Sequence, residues 1–250
     1  MESLSADNAA SPALAARFRD VEENLKVIRE RIEEAAVSAG RNPDDVILMA
    51  VTKTVPVEVI NHALSLGVDY MGENRVQELN AKYDSLHREG KHIHLIGHLQ
   101  TNKVKQVVGK VEMIQSVDSF RVAQAIAARS RESGIVTHAL VEVNIGREEN
   151  KSGVLPEMLP ELLEKVKEIP SIRVRGLMAI PPICENAQEN CKFFDNMRHI
   201  FLDIGSKNID NISMEVLSMG MSDDYAEAIR CGANMIRVGS ALFGKRNYQI

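Results

Sequence analysis

The sequence predicts a (β/α)8 barrel, and three observations carry that prediction. From Val46 onward, short apolar runs alternate with helical stretches. The first run, 46–51 (VILMAV), is continuously apolar rather than alternating, as expected of a parallel strand buried on both faces. Eight strand-then-helix units can be counted, which favours a closed barrel over an open doubly wound sheet.

Ahead of these units, residues 12–39 read as one long helix. Leu14, Phe18, Val21, Leu25, Ile28, Ile32 and Ala36 recur every three or four residues and so share a face. Ser11 suits the cap, Pro12 the first helical position and Gly40 the stop. Glu22, Glu23, Arg29, Glu30 and Glu33 fall on the opposite face and are expected to be solvated. The stripe is expected to pack across the outside or bottom of the barrel. Residues 1–11 are expected to be flexible. Residues 12–250 are expected to form a single domain, since no Pro-, Gly- or Ser-rich linker divides them.

The predicted strands, each with the helix that follows, run in order. Residues 46–51 precede a helix over 56–66, which Gly67 stops. Residues 68–72 precede 73–87, and 92–97 precede 101–108. The fourth strand, 113–117, precedes 119–133 and its stop at Gly134. Then come 138–144 with 156–168, and 172–180 with 187–204. Strand 215–219 precedes 222–231, and 235–238 precedes a short helix from Ser240.

Composition narrows the function. Hydrophobic residues make up 44% and charged residues 26% of 250, ordinary for a globular chain with a real core. Lys+Arg is 30 and Asp+Glu is 35, a net charge of −5 with no basic stripe, so no nucleic-acid partner is expected. Aromatic residues are 4% with no Trp, which argues against a stacking platform for single strands. No apolar run approaches the roughly 18 residues of a membrane helix, so no membrane partner is expected. The first residues lack the basic-then-apolar pattern of a secretory signal. Cys184, Cys191 and Cys231 fit no disulfide framework or zinc ribbon, and a reducing, cytoplasmic setting is expected. A monomer or weak dimer is expected.

In a barrel, reactive groups sit just past the C-terminal ends of strands. Those positions here are Lys53, Glu73, Asn74, His98, Ser116, Asp118, Asn144, Met178, residues 218–222 and residues 237–240. Lys53 follows a fully apolar strand. Partial desolvation there lowers an amine's pKa and frees it as a nucleophile toward an aldehyde. The plainer reading is a surface lysine that ends a strand. Ser218-Met219-Gly220-Met221-Ser222 and Arg237-Val238-Gly239-Ser240 occupy the two loops where barrels commonly hold phosphate. Glycines let backbone amides approach a ligand, and Ser222 is expected to cap the next helix. Ordinary strand–helix turns also favour Gly and Ser.

An amine nucleophile beside a phosphate site leaves two readings. One is a sugar-phosphate aldolase working through a lysine imine. The other is pyridoxal 5′-phosphate (PLP), which has both an aldehyde and a phosphate. Arg237 bears on the choice. A guanidinium beside the pyridine nitrogen would keep that nitrogen unprotonated, and so would make the cofactor a poor electron sink. The plainer reading of Arg237 is a structural ion pair.

Several motifs carry a family resemblance. They are Val51-Thr52-Lys53-Thr54, Gly72-Glu73-Asn74-Arg75-Val76-Gln77-Glu78 and the run from His94 to Lys103 (HLIGHLQTNK). Lys151-Ser152-Gly153, Arg175-Gly176-Leu177-Met178, the run 217–224 (LSMGMSDD) and the run 237–244 (RVGSALFG) continue it in order. Together they resemble the pyridoxal phosphate homeostasis family, also called YggS-like or proline synthase co-transcribed. The resemblance implies a barrel like the N-terminal domain of alanine racemase, with PLP joined to Lys53 as a Schiff base. It implies phosphate contacts from Ser218, Gly220, Met221, Ser222, Gly239 and Ser240. It also implies Arg237 at the pyridine nitrogen and Asn74 near the ring hydroxyl. Such proteins are regarded as PLP carriers or regulators of vitamin B6 and amino-acid pools, so PLP-dependent apo-enzymes are the expected acceptors.

Racemisation generally needs a base on each face of the substrate. The resembled racemases draw the opposing tyrosine from a second, β-rich domain. This chain runs only six residues past Gly244, so that domain is not expected in it. Of Tyr70, Tyr83, Tyr225 and Tyr248, none falls clearly in a strand-end loop facing Lys53, and Tyr225 is expected inside the seventh helix. Efficient racemisation is therefore not expected. His92, His94 and His98 cluster in the sequence without a facing carboxylate at ligand spacing, so no metal site is expected. Cys184 and Cys191 read as small thiols.

Overall fold

Strand pairing closes on itself: all eight strands are parallel and neighbour one another in chain order, and the eighth returns to the first. They are β1 (Ile47–Val51), β2 (Tyr70–Glu73), β3 (His92–Leu95), β4 (Met113–Val117), β5 (Thr137–Val143), β6 (Ile172–Ala179), β7 (Ile212–Ser218) and β8 (Met235–Val238). The computed structural model describes residues 11–184 and 187–244. Residues 1–10, expected to be flexible, lie outside the described residues, as does Tyr248.

The helices are α1 (Pro12–Ser38), α2 (Val57–Ser65), α3 (Val76–Lys82), α4 (Phe120–Glu132), α5 (Leu159–Val166), α6 (Ala187–Ser206), α7 (Tyr225–Arg230) and α8 (Ser240–Phe243). No helix among the described residues is long and apolar enough to cross a membrane. Three local expectations need correction. The segment after β3 is a 3-10 turn over Thr101–Gln106 rather than an α-helix. Its buried residue is Val104 alone, too little apolar surface to hold a longer helix against the barrel. Strand β7 begins at Ile212, three residues earlier than expected. Its first half alternates polar with apolar residues and is only partly buried, so no compact apolar run marks its start. Helix α7 begins at Tyr225 with Asp224 at the cap position, so Ser222 is not its cap.

The barrel interior is filled by side chains. Met49, Val51, Ile96 and Met235 form one inner cluster, and Met113, Leu140 and Met178 form another. The main core lies between the strands and the outer helices.

Helix α1 completes that outer layer. Ser11 Oγ accepts from Leu14 N at 3.3 Å, as a cap should. Val21, Leu25, Ile28 and Ile32 are buried as their spacing predicts. Helix α8 has only four residues and cannot cover the β8–β1 seam. Helix α1 packs against α7, α8 and α2, across that gap. Polar ties lock it there. Asn24 Nδ2 donates to Leu242 O at 3.1 Å, and Arg29 Nη2 donates to Leu66 O at 2.9 Å. Glu22 meets His62 Nε2 at 2.9 Å. Arg29 and Glu22 are exposed, yet they are engaged rather than merely solvated.

Candidate functional site

The C-terminal mouth of the barrel gathers the predicted residues on one side. Register places Met49 beside Arg237 and Ala50 beside Val238. Lys53, four residues past Met49, therefore leaves β1 next to the loop that starts at Gly239.

Lys53 is half-buried and sits between two clamped neighbours. Thr52 Oγ1 donates to the buried Glu73 Oε1 at 2.7 Å. Lys82 Nζ, from the end of α3, donates to Thr52 O at 2.8 Å, to Glu73 Oε1 at 3.0 Å and to Glu78 Oε1 at 2.6 Å. Glu78 in turn accepts from the Thr54 amide. Thr54 has φ of 63°, left-handed backbone that a threonine adopts only under constraint. The clamp fixes the backbone on both sides of the lysine. Burial raises the Glu73 carboxyl above its usual range, against the pull of Thr52 and Lys82. Of the clamp residues on α3, Glu78 stands in a motif that carries the resemblance but has no role assigned from sequence, and Lys82 has none either. The i,i+4 pair Glu78–Lys82 was the available signal.

Asn74 follows β2, and its backbone carbonyl packs hard against Gly97. A Cβ at Gly97 would lie 2.1 Å from that oxygen, so no other residue fits there. Asn74 Oδ1 is buried with no hydrogen-bond partner among the described residues.

The seventh and eighth loops are stitched together. Arg237 N donates to Gly220 O at 3.0 Å. Ser222 Oγ accepts from Gly239 N at 3.2 Å and from Ala241 N at 3.1 Å. Its hydroxyl thus serves loop eight, not the start of α7. Gly220 has φ of 90°, and a Cβ there would sit 2.5 Å from Ala228 Cβ. Met221 N donates to Asp224 Oδ1 at 2.6 Å. Met221 and Ser240 are exposed at this rim.

Beneath the loops lies Arg237, fully enclosed. Its Nη1 donates to Ser218 Oγ at 2.7 Å and its Nη2 to Ala179 O at 2.9 Å. Burial lowers its pKa to about 10, with Glu142 and Asp224 opposing, so it stays charged at neutral pH. Glu142 on β5 is buried, and its pKa is pushed up to about 7 by desolvation and by Asp118, with Arg237 opposing. Burial also raises Asp224. Glu142 was not anticipated. It stands in an unremarkable strand, and only the inward face of β5 makes it part of the site.

The other strand-end residues go elsewhere. Ser116 Oγ donates to Gly97 O at 2.7 Å, and Asn144 brackets the backbone of Glu148. His98 Nδ1 lies 3.1 Å from Asp118 Oδ2 and 3.3 Å from Ser152 Oγ. Both partners meet the same ring nitrogen, which is not the geometry of a serine nucleophile activated through histidine. His98, Asp118 and Ser152 line a cleft of about 780 Å³ at the β3–β5 side of the mouth. The three histidines part company. His92 pairs with Glu112, His94 bonds Gln115 inside the barrel, and His98 faces Asp118. Cys184 and Cys191 are half-buried thiols.

Similarity to known proteins agrees with this architecture. Residues 20–247 match the alanine racemase N-terminal domain. A pyridoxal phosphate homeostasis protein of Aquifex aeolicus is 43% identical over 226 residues, 90% of this chain and 98% of that one. A crystal structure of an unknown protein from Bifidobacterium adolescentis superposes with a TM-score of 0.87 at 32% identity, covering 97% and 98% of the two chains. The structure of PipY from Synechococcus elongatus with PLP bound superposes with a TM-score of 0.75 at 32% identity, over 85% of this chain and all of that one. A closed parallel barrel, its stitched seventh and eighth loops and near-full-length identity lead to one conclusion: the chain belongs to the pyridoxal phosphate homeostasis protein family, built on the alanine racemase N-terminal domain.

Proposed function

We propose that this chain binds pyridoxal 5′-phosphate at the barrel mouth, anchors it covalently on Lys53 and holds it for PLP homeostasis. The observation that carries the reading is the Lys53 turn, clamped from α3 and set by strand register beside the stitched loops of β7 and β8. The residues fit the cofactor. The seventh and eighth loops would carry the phosphate, with Gly220, Met221, Ser222, Gly239 and Ser240 at the rim, while the Ser218 hydroxyl expected there is committed below to Arg237 and Gln115. Arg237 offers only donors to a ring nitrogen. Asn74 Oδ1, which has no hydrogen-bond partner among the described residues, would accept from a ring hydroxyl.

When bound, PLP supplies an aldehyde carbon that reacts with amines and a ring that withdraws electrons when its nitrogen is protonated. Lys53 Nζ would bond that carbon with loss of water. Arg237, still charged at neutral pH, would keep a proton off the ring nitrogen and so suppress carbanion chemistry. This favours a carrier, with PLP-dependent apo-enzymes as acceptors, over a racemase or a sugar-phosphate aldolase.

Borohydride reduction followed by peptide mapping tests the anchor. A visible-edge absorbance band lost on reduction, with a pyridoxyl adduct on Lys53 and none in Lys53→Ala, is expected. No uptake of added PLP by the wild-type chain overturns the reading. Transfer of labelled PLP to an apo-enzyme no faster than spontaneous dissociation overturns the carrier role alone.

A further inference from the structure

Below the mouth, four buried polar side chains from four different strands form a line through the barrel. Arg237 Nη1 lies 2.7 Å from Ser218 Oγ, and Ser218 Oγ lies 2.7 Å from Gln115 Oε1. Gln115 Nε2 lies 2.8 Å from His94 Nδ1. All four residues are at most 3% exposed. We infer that Gln115 and His94 are positioning residues for Arg237, the far members of a one-way hydrogen-bond chain that fixes how the guanidinium faces the cofactor.

The direction follows from donor and acceptor capacity. A guanidinium only donates, so Ser218 Oγ must accept from it. The serine proton is then directed to Gln115 Oε1. With its oxygen so placed, Gln115 turns its amide nitrogen toward His94, and its second proton toward Met235 Sδ at 3.1 Å. His94 Nδ1 must therefore present a lone pair. The ring is neutral, with its proton on Nε2, a buried atom with no partner among the described residues. A proton on Nδ1 would set two donors face to face in a dry interior, a cost of about 1–3 kcal/mol for a buried polar group left unpaired. The surroundings agree. Burial lowers the His94 pKa to about 4, His92 and His138 add to the lowering, and Glu112 opposes it. The Tyr70 ring packs edge-on at 5.7 Å.

The consequence for the cofactor rests on the PLP reading. With one Nη1 proton held by Ser218 and one Nη2 proton held by Ala179 O, the guanidinium plane cannot rotate. Its remaining donors keep one direction. Removal of the Gln115 amide frees Ser218, and through it Arg237.

Two measurements test the chain. In 15N-labelled protein without cofactor, His94 is expected to stay neutral, with the proton on Nε2, from pH 5 to 8. An Nδ1–H tautomer, or an ordinary imidazolium midpoint near 6.5, overturns the inference. In loaded protein, Gln115→Met replaces the amide by a thioether suited to its Met49 and Met235 neighbours. A normal far-UV spectrum is expected, with PLP release about tenfold faster and a shifted pH profile of the bound chromophore, in the same direction as Arg237→Lys. A folded Gln115→Met variant with unchanged release and profile overturns it. If Gln115→Met does not fold, Gln115→Glu decides: a carboxylate cannot donate to Nδ1, so His94 should take up a proton near neutral pH, and an unchanged His94 signal overturns the chain. If the wild type takes up no PLP, the cofactor reading fails while the 15N measurement still judges the chain.

Discussion

The Gly239 amide donates to Ser222 Oγ at 3.2 Å, and that bond joins the seventh loop to the eighth. Ala241 N adds a second donor at 3.1 Å, and the Arg237–Gly220 backbone bond a third tie. Ser222→Ala removes the shared acceptor and leaves the backbone tie. PLP affinity should fall about five- to tenfold, the scale of one net hydrogen bond, with little change in melting temperature. An absorbance titration measures this. An unchanged dissociation constant would mean the loops hold their geometry without the serine.

Glu142 and His94 should pull stability in opposite directions with pH. The folded His94 has a pKa of about 4 against an ordinary 6.5. Its contribution is full above pH 6.5 and is lost as pH falls toward 4. The folded Glu142 has a pKa of about 7 against an ordinary 4.5. The unfolded chain releases that proton first, so stability declines as pH rises from 4.5 to 7 and levels off above. Glu142→Gln removes the second effect. Its stability relative to the wild type should therefore rise between pH 4.5 and 7, by at most about 3 kcal/mol. Urea unfolding across that range gives the difference, and a flat difference would falsify the assignment.

The strands were legible because short apolar runs recur between helical stretches, and Lys53 because a charge follows the one run that is apolar throughout. The buried polar groups were not. Gln115 within MIQSV and Glu142 within THALVEV look like ordinary strand residues. Only the barrel's closure and register decide that they face inward. Lys82 and Glu78 lie more than twenty residues from Thr54, so the clamp around Lys53 exists only in three dimensions. Ser222 was misplaced for a related reason. Its hydroxyl is satisfied by a neighbouring loop, a choice that local capping rules cannot see.

Tyrosine placement bears on racemisation. Tyr225 is fully buried at the start of α7, with Arg31 over its ring. Tyr70 stacks on His92, and both begin their strands, at the end remote from Lys53. Tyr83 packs with Arg88 in the 3-10 turn after α3. Among the described residues, no tyrosine stands at the mouth as a base opposite Lys53. PLP-loaded protein should show no saturable alanine racemisation, read by chiral chromatography of product over time. Saturable turnover that disappears in Lys53→Ala would sink this expectation.

Helix α1 should be integral to the barrel rather than an appendage. Ile28 is 2% exposed in the middle of its buried face. The helix covers the seam that the four-residue α8 leaves open. Ile28→Ala removes three buried carbons from a packed interface, at a cost of about 2–5 kcal/mol. A detachable helix would relax around the change and lose much less. It would also unfold in a separate, earlier step, because a free amphipathic helix has little stability of its own. Denaturant unfolding followed at α1 and at a barrel strand by hydrogen exchange tells the two apart. A single shared transition, shifted by more than 2 kcal/mol in the variant, is the expected result. A loss below about 1 kcal/mol, or an α1 that exchanges well before β1 and β8, would place the helix outside the cooperative unit.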